Sequence, residues 1–299
     1  MKDFHFPAKL DEQPEFKRST LFESETLGVA DVRCRGLCRH KSAEECTVAA
    51  QLIFPYRGAF VRHVGSDAIV ADPNQVLFFA ADDVHQVSHP VPGGDACIVI
   101  TLSPAAMAEL AEISRLGDAN PRRRTLDASA QGLRAVLLSR LAGGDATQVE
   151  AESLALALVT KTMAPLRAPR RRATRSKLAL VDRVKLLLAS STAQRLSLGE
   201  IGKAAGASPV YLTQVFSELE GLPLYRYQLR LRLAQALARL PGEQDLAALA
   251  QDLGFSSHSQ FTTLFRQTYG LPPADFMRAT KRVDVNALLK ILKAGPAWT

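Results

Sequence analysis

Six polar side chains stand close together near the C-terminal end of the chain: His258, Ser259, Gln260, Thr262, Thr263 and Arg266. Each donates or accepts hydrogen bonds, and only the arginine carries a fixed charge. Small uncharged groups of this kind suit the edges of base pairs in a DNA major groove, whereas an arginine suits guanine or phosphate. A solvated helix face carries the same residue types, and this one stretch does not separate the two readings. The flanking residues show what holds the group in place. Leu246, Leu249, Ala250 and Leu253 recur at helical spacing, and Gly254 stops that short helix. Phe255 lies at the turn, Ser256 or Ser257 is a good N-cap, and Phe261, Leu264 and Phe265 form the apolar stripe of a second helix. Gly270 ends it, with Pro272-Pro273 behind. A short helix, a glycine turn and a second helix spell a helix-turn-helix.

The pattern occurs twice. Gly206-Ala207-Ser208 matches Gly254-Phe255-Ser256 at an offset of 48 residues. Leu212, Phe216, Gly221, Pro223 and Tyr227 match Phe261, Phe265, Gly270, Pro272 and Phe276 at an offset of 49. The one-residue difference falls in the turn, where an insertion costs least. Between the copies, residues 225–240 contain neither Gly nor Pro and read as one long helix. Two such units joined by a helix resemble the DNA-binding domain of the AraC/XylS transcription regulators, over roughly residues 177–280. The resemblance implies that Val210, Thr213 and Gln214 reach bases from the first unit. The matching set in the second is His258, Ser259, Gln260, Thr262 and Thr263, with Arg266 a turn further on toward phosphate. Members of that family often carry Arg at the positions of Gln214 and Thr263. Both are uncharged here, so the strong arginine-to-guanine contact is missing, and Gln214 and Gln260 are left to read adenine. Arg230, Arg232 and Arg239 read either as phosphate partners or as a solvated face.

At 299 residues the chain has room for two domains. Charge divides unevenly along it: residues 1–165 hold 17 Lys/Arg against 21 Asp/Glu, and residues 166–299 hold 20 against 9. A basic C-terminal half is the footprint of a nucleic-acid binder, and the acidic half implies another task. No N-terminal apolar core of a signal peptide and no membrane-length apolar run occurs, so the expected location is cytoplasmic, with the cysteines reduced.

From about Ser19 to Leu102 the sequence favours short strands separated by Asp72-Pro73-Asn74, Asp82-Asp83 and Pro92-Gly93-Gly94-Asp95. Within 48–64, Pro55 and Gly58 mark a bend or an edge position. The AraC-type resemblance implies a cupin-like barrel that binds an effector. Catalytic cupins use a clustered His-x-His with a downstream Glu and His. Here His63, His85 and His89 are scattered, so no metal site and no catalytic residue is expected. Cys34, Cys38, His40 and Cys46 give a thiol or metal sensor only where the segment bends. On one straight strand Cys34 and Cys38 would lie about 13 Å apart at roughly 3.3 Å per residue. The preferred reading is small apolar side chains filling a barrel.

Apolar faces at 105–115, around Leu133, Val136, Leu137 and Leu141, and at 149–163 read as connector helices. By resemblance they carry a dimer contact; packing onto the barrel of the same chain is the other reading. Arg167, Arg170, Arg171, Arg172, Arg175 and Lys177 then form a basic run without an acid between Glu152 and Asp182.

The expected fold class is an α+β two-domain chain: an N-terminal cupin-like β-barrel with helices, and a C-terminal all-α domain with two helix-turn-helix units. The expected division is an effector-binding and dimerisation domain at 1–164, a basic linker at 165–176, the DNA-binding domain at 177–282 and an extension at 283–299. That extension packs on the last helix of the domain, or contacts RNA polymerase or a second subunit. The expected function is a sequence-specific regulator without cofactors. It binds promoter double-stranded DNA as a homodimer, answers to an unknown small-molecule effector and touches no membrane. The alternative is a metal-dependent cupin enzyme fused to a DNA-targeting domain.

Overall fold

The β-forming blocks between the turn signals become nine strands: β1 (Phe16–Glu23), β2 (Leu27–Cys34), β3 (Glu45–Cys46), β4 (Gln51–Arg57), β5 (Phe60–Val64), β6 (Asp67–Ala71), β7 (Gln75–Phe79), β8 (Val84–Ser88) and β9 (Asp95–Leu102). The structure is a computed structural model that describes residues 16–36, 40–114, 123–163, 173–191, 194–281, 290 and 292. A short β10 (Arg123–Thr125) completes a six-stranded antiparallel sheet in the order β1-β2-β9-β4-β7-β10. The other four strands form a smaller sheet in the order β3-β8-β5-β6. Together they make the two-sheet, cupin-like barrel expected from the sequence. Pro55 lies in β4 beyond Ile53, where pairing with β7 has ended, so its missing N–H costs no bond on that side. The ladder to β9 slips between Pro55 and Arg57.

The segment from Arg33 to His40 is not one straight strand: β2 stops at Cys34, and Gly36 turns the chain with φ of +71°. Cys38 lies outside the described residues.

The helices follow: α1 (Pro104–Ser114), α2 (Ala128–Gly143), α3 (Gln148–Met163), α4 (Arg175–Ser190), α5 (Leu198–Ala205), α6 (Pro209–Glu220), α7 (Leu224–Arg239), α8 (Leu246–Asp252), α9 (His258–Tyr269) and α10 (Pro273–Lys281). α2 starts where Asp127 accepts a hydrogen bond from the Ala130 amide and stops at Gly144 in the left-handed region. Most of the basic run at 165–176 lies outside the described residues.

A single apolar core runs from the large sheet (Leu52, Phe54, Ile98, Ile100) through α2 and α3 (Val136, Leu137, Leu158) into α7–α10 (Leu237, Phe261, Phe265, Phe276). A second cluster joins α4, α5, α6 and the first half of α7, through Val184, Ile201, Leu212, Phe216 and Tyr227. α7 contributes to both. The inward apolar faces of α2 and α3 are thus covered by the same chain, which is the packing that the alternative reading of these helices gave. Of the C-terminal extension, Leu292 is buried against Gly132 of α2, in the same apolar cluster as Phe276 of α10, and most of the rest lies outside the described residues.

Candidate nucleic-acid interface and barrel cavity

Each helix-turn-helix is built by local capping. Ser197 and Glu200 form a reciprocal capping box at the start of α5, which ends at Gly206 in the left-handed region. Ser208 then caps α6, with Pro209 in its first turn, where an N–H would have no partner. In the second unit Asp245 accepts from the Ala247 and Ala248 amides to start α8, and Ser257, rather than Ser256, caps α9. Gly254 makes the turn with φ of +75°.

Burial divides each recognition helix as the apolar stripe requires. In α6, Leu212, Val215 and Phe216 are buried, Val210, Tyr211 and Gln214 are exposed, and Thr213 is half-buried with its hydroxyl bonded to the Pro209 carbonyl at 2.9 Å. Val210 is 79% exposed. In α9, Phe261 and Phe265 are buried, while His258, Ser259, Gln260, Thr263 and Arg266 are exposed and Thr262 is half-buried. His258 Nε2 and the Thr262 hydroxyl sit 3.4 Å apart, one turn from each other.

Gln260 is less free than its exposure implies. Its Oε1 accepts from the Ser256 amide at 2.9 Å, the Ser256 hydroxyl at 2.7 Å and Arg195 Nη2 at 3.2 Å. It therefore helps to close the turn before α9. Arg195, exposed and also bonded to the Gly254 carbonyl at 2.8 Å, is a cation beside the recognition helix that pattern reading passed over.

Three arginines read as phosphate partners or solvated groups are engaged within the chain. Arg230 turns inward onto the Leu126 carbonyl. Arg232 donates to the Gln194 carbonyl at 2.8 Å, and Arg239 pairs with Asp252 at 2.7 Å. Arg266 remains exposed on α9.

The two units are fixed to the barrel by a polar joint at the β6–β7 loop. The Tyr227 hydroxyl donates to Asp72 at 2.6 Å, and Asn74 donates to the Tyr227 carbonyl at 3.0 Å. Gln75 reaches Glu220 at 3.2 Å; Lys185 pairs with Glu220 at 2.5 Å, and Arg123 with Asp182 at 2.8 Å. Burial raises the Asp72 pKa. Burial also opposes the Glu220 charge, but Lys185 and Arg123 outweigh it and hold that carboxyl below its ordinary range. The second unit is tied in through Gln131 of α2, which accepts from the Tyr269 hydroxyl at 3.2 Å and donates to Asn74 Oδ1 at 2.8 Å.

The barrel encloses a cavity of about 680 Å³, lined by Phe16, Ile53, Phe60, Phe79 and Val99 and by Arg18, Lys41 and His85. That is within the size range of small-molecule sites. Of the three scattered histidines, His63 bonds Ser88 at 2.9 Å and His85 lies edge-on to Phe79. His89 pairs through Nδ1 with Asp95 at 2.5 Å. Burial disfavours its charge, but hydrogen bonds to Asp95 and Cys34 outweigh that and raise the imidazole pKa to about 10.

Paired recognition helices on a two-sheet barrel make this a two-unit helix-turn-helix protein. Residues 201–279 match the helix-turn-helix domain family, and they fall within the stretch that carried the AraC/XylS resemblance. The chain is 32% identical over 79 residues to the Regulatory protein PocR of Salmonella typhimurium, covering 26% of each protein. It is 28% identical over 102 residues to the Msm operon regulatory protein of Streptococcus mutans, covering 33% of this chain and 36% of that one. The match thus spans about a quarter to a third of these regulators. An apo ToxT variant from Vibrio cholerae is 13% identical over 85% of this chain and 97% of its own, with a TM-score of 0.37. No helix among the described residues is long and apolar enough to cross a membrane.

Proposed function

We propose that the chain is a sequence-specific transcription regulator of the AraC/XylS type that binds double-stranded promoter DNA and catalyses no reaction. The observation that carries this reading is the repetition of one capped helix-turn-helix, with an exposed polar face on α9 and an exposed Val210–Gln214 face on α6. α7, about 24 Å long at 1.5 Å per residue, spaces them. Two recognition helices on one side of a duplex enter successive major grooves about 34 Å apart. Val210, Thr213 and Gln214 are assigned to one groove, and His258, Ser259, Thr262 and Thr263 to the other. Arg266 grips phosphate, and Gln260 contributes by shaping the start of α9 as well as by its free amide.

The barrel cavity is the effector site in this reading. β7 carries Phe79 in the cavity wall at one end and Gln75 in the polar joint at the other. A ligand that shifts β7 therefore acts on the contacts that hold Glu220 and Tyr227. Homodimers formed away from the covered α2 and α3 faces would double the DNA site, and the working compartment is the cytoplasm.

Titration of a labelled promoter duplex with the full chain at several salt concentrations tests the reading. Log affinity should fall linearly with log salt, at about −0.9 per phosphate neutralised. A flat response, or no binding, contradicts it.

A further inference from the structure

Three side chains from separate segments converge where the barrel cavity meets the end of β2. Cys34 closes β2, Asp95 opens β9, and the two are partners in the β2–β9 ladder, so they share a face. His89 comes from the β8–β9 loop. One donor atom from each of the three lies within 4.8 Å of the others. Cys34 and Asp95 are 5% and 4% exposed, and all three line the cavity.

The frame that holds them leaves little slack. Gly36 and Gly94, both with φ of +71°, face each other so closely that a Cβ on Gly94 would come within 2.0 Å of the Cys34 carbonyl oxygen. The Gly36 amide donates to Cys34 Sγ at 3.3 Å. The His89 ring lies against Phe60, with centroids 6.4 Å apart.

We propose that Cys34, His89 and Asp95 form a zinc site, with the remaining coordination position open to the cavity. One thiolate, one imidazole and one carboxylate are a donor set that suits a borderline-soft, d¹⁰ divalent ion. Zn–S near 2.3 Å and Zn–N or Zn–O near 2.0–2.2 Å put tetrahedral donors roughly 3.3–3.6 Å apart. The His89–Asp95 pair at 2.5 Å must open by about 1 Å, and any pair near the 4.8 Å limit must close by about as much. Side-chain rotation supplies both. Three protein ligands and one open position is the pattern of a site that exchanges its fourth ligand, here water or a donor atom of whatever occupies the cavity. The inference rests on this triad alone and stands apart from the DNA-binding reading.

The test uses the full chain, stripped with chelator and titrated with Co²⁺ as a spectroscopic stand-in for Zn²⁺. The expected result is saturation at one equivalent, with visible bands of a four-coordinate ion and a near-ultraviolet thiolate-to-cobalt band, both lost on adding Zn²⁺. Cys34→Ser should abolish the thiolate band. His89→Gln and Asp95→Asn should each weaken binding by more than the roughly 100-fold upper limit for an outer-shell change. Cys46→Ser, which alters an exposed cysteine elsewhere on the cavity rim, should leave the spectrum unchanged. Circular dichroism of each metal-free variant establishes that it is folded. Absence of a saturable cobalt spectrum in the unsubstituted chain overturns the proposal without reference to any variant. So does a thiolate band that survives in Cys34→Ser or vanishes in Cys46→Ser.

Discussion

Replacing Phe265 with Ala tests whether the second helix-turn-helix and the barrel share one core. The ring is fully buried and contacts Phe261, Tyr269 and Phe276 with centroids 4.8–5.7 Å apart. Phe-to-Ala changes in cores cost about 3–5 kcal/mol. Three aromatic neighbours, each worth about 0.5–1.5 kcal/mol beyond area, place this site near the upper end. The midpoint of thermal unfolding should fall by about 10 °C, at roughly 2–4 °C per kcal/mol. From the sequence alone, the loss would stay in the C-terminal domain and spare the barrel. The continuous packing from Phe54 and Ile98 through Val136 and Leu137 to Phe265 predicts otherwise. Native-state hydrogen exchange should show lost protection in α9, α10 and α2 and in strands β4 and β9. Phe216→Ala, in the separate cluster around Val184 and Tyr227, should cost about as much but lose protection chiefly in α4–α7. Loss confined to α8–α10 in the Phe265 variant would refute the shared core.

The polar joint gives a pH prediction. The Glu220 pKa is depressed in the folded chain, so its contribution is present above the unfolded value of 4.5 and is lost as pH falls through the folded value. Asp72, raised by burial, works in the opposite sense. Glu220→Gln should destabilise the protein at pH 7 by about 3–5 kcal/mol, because Lys185 is left buried and unpaired, and should flatten the acid side of a denaturation series. Gln260→Ala should lower stability by about 1 kcal/mol before any DNA is added, through loss of the acceptor for Ser256. Gln260→Glu should restore the thermal midpoint while weakening DNA binding, as fluorescence anisotropy would record. Gly94→Ala forces a Cβ into the Cys34 carbonyl oxygen and should cost several kcal/mol by calorimetry, whereas Gly144→Ala, whose Cβ meets nothing within 4 Å, should cost about 1 kcal/mol.

The helix-turn-helix units were legible because their signals are local. Gly206, Gly221, Gly254 and Gly270 all adopt the left-handed conformation, and Phe216 and Phe265 are fully buried at the spacing that their stripes required. Strands β7 and β8 were legible for the same reason, each bounded by turn residues. The zinc triad was not legible. Cys34 and Asp95 meet through a ladder register between residues 61 apart, which no spacing rule encodes. Nor was the inward turn of Arg230, since a helical arginine looks solvated until the partner element, here the carbonyl of Leu126, is in place. Gln260 was read by its residue type as a base contact, and its capping role depended on which serine ended the turn.

The central claim is that α6 and α9 read two successive major grooves. Selection from a random duplex library by the full chain, followed by affinity measurement on single-base variants, tests it most directly. The account predicts two preferred blocks separated by about one helical turn, 10–10.5 base pairs. Substitution at Val210 or Gln214 should relax one block, substitution at Ser259 or Thr263 the other, each by about 1–3 kcal/mol. Arg266→Ala should weaken all duplexes alike and lower the salt slope by about one contact. A single preferred block, or losses that do not depend on sequence for every one of these substitutions, would contradict it.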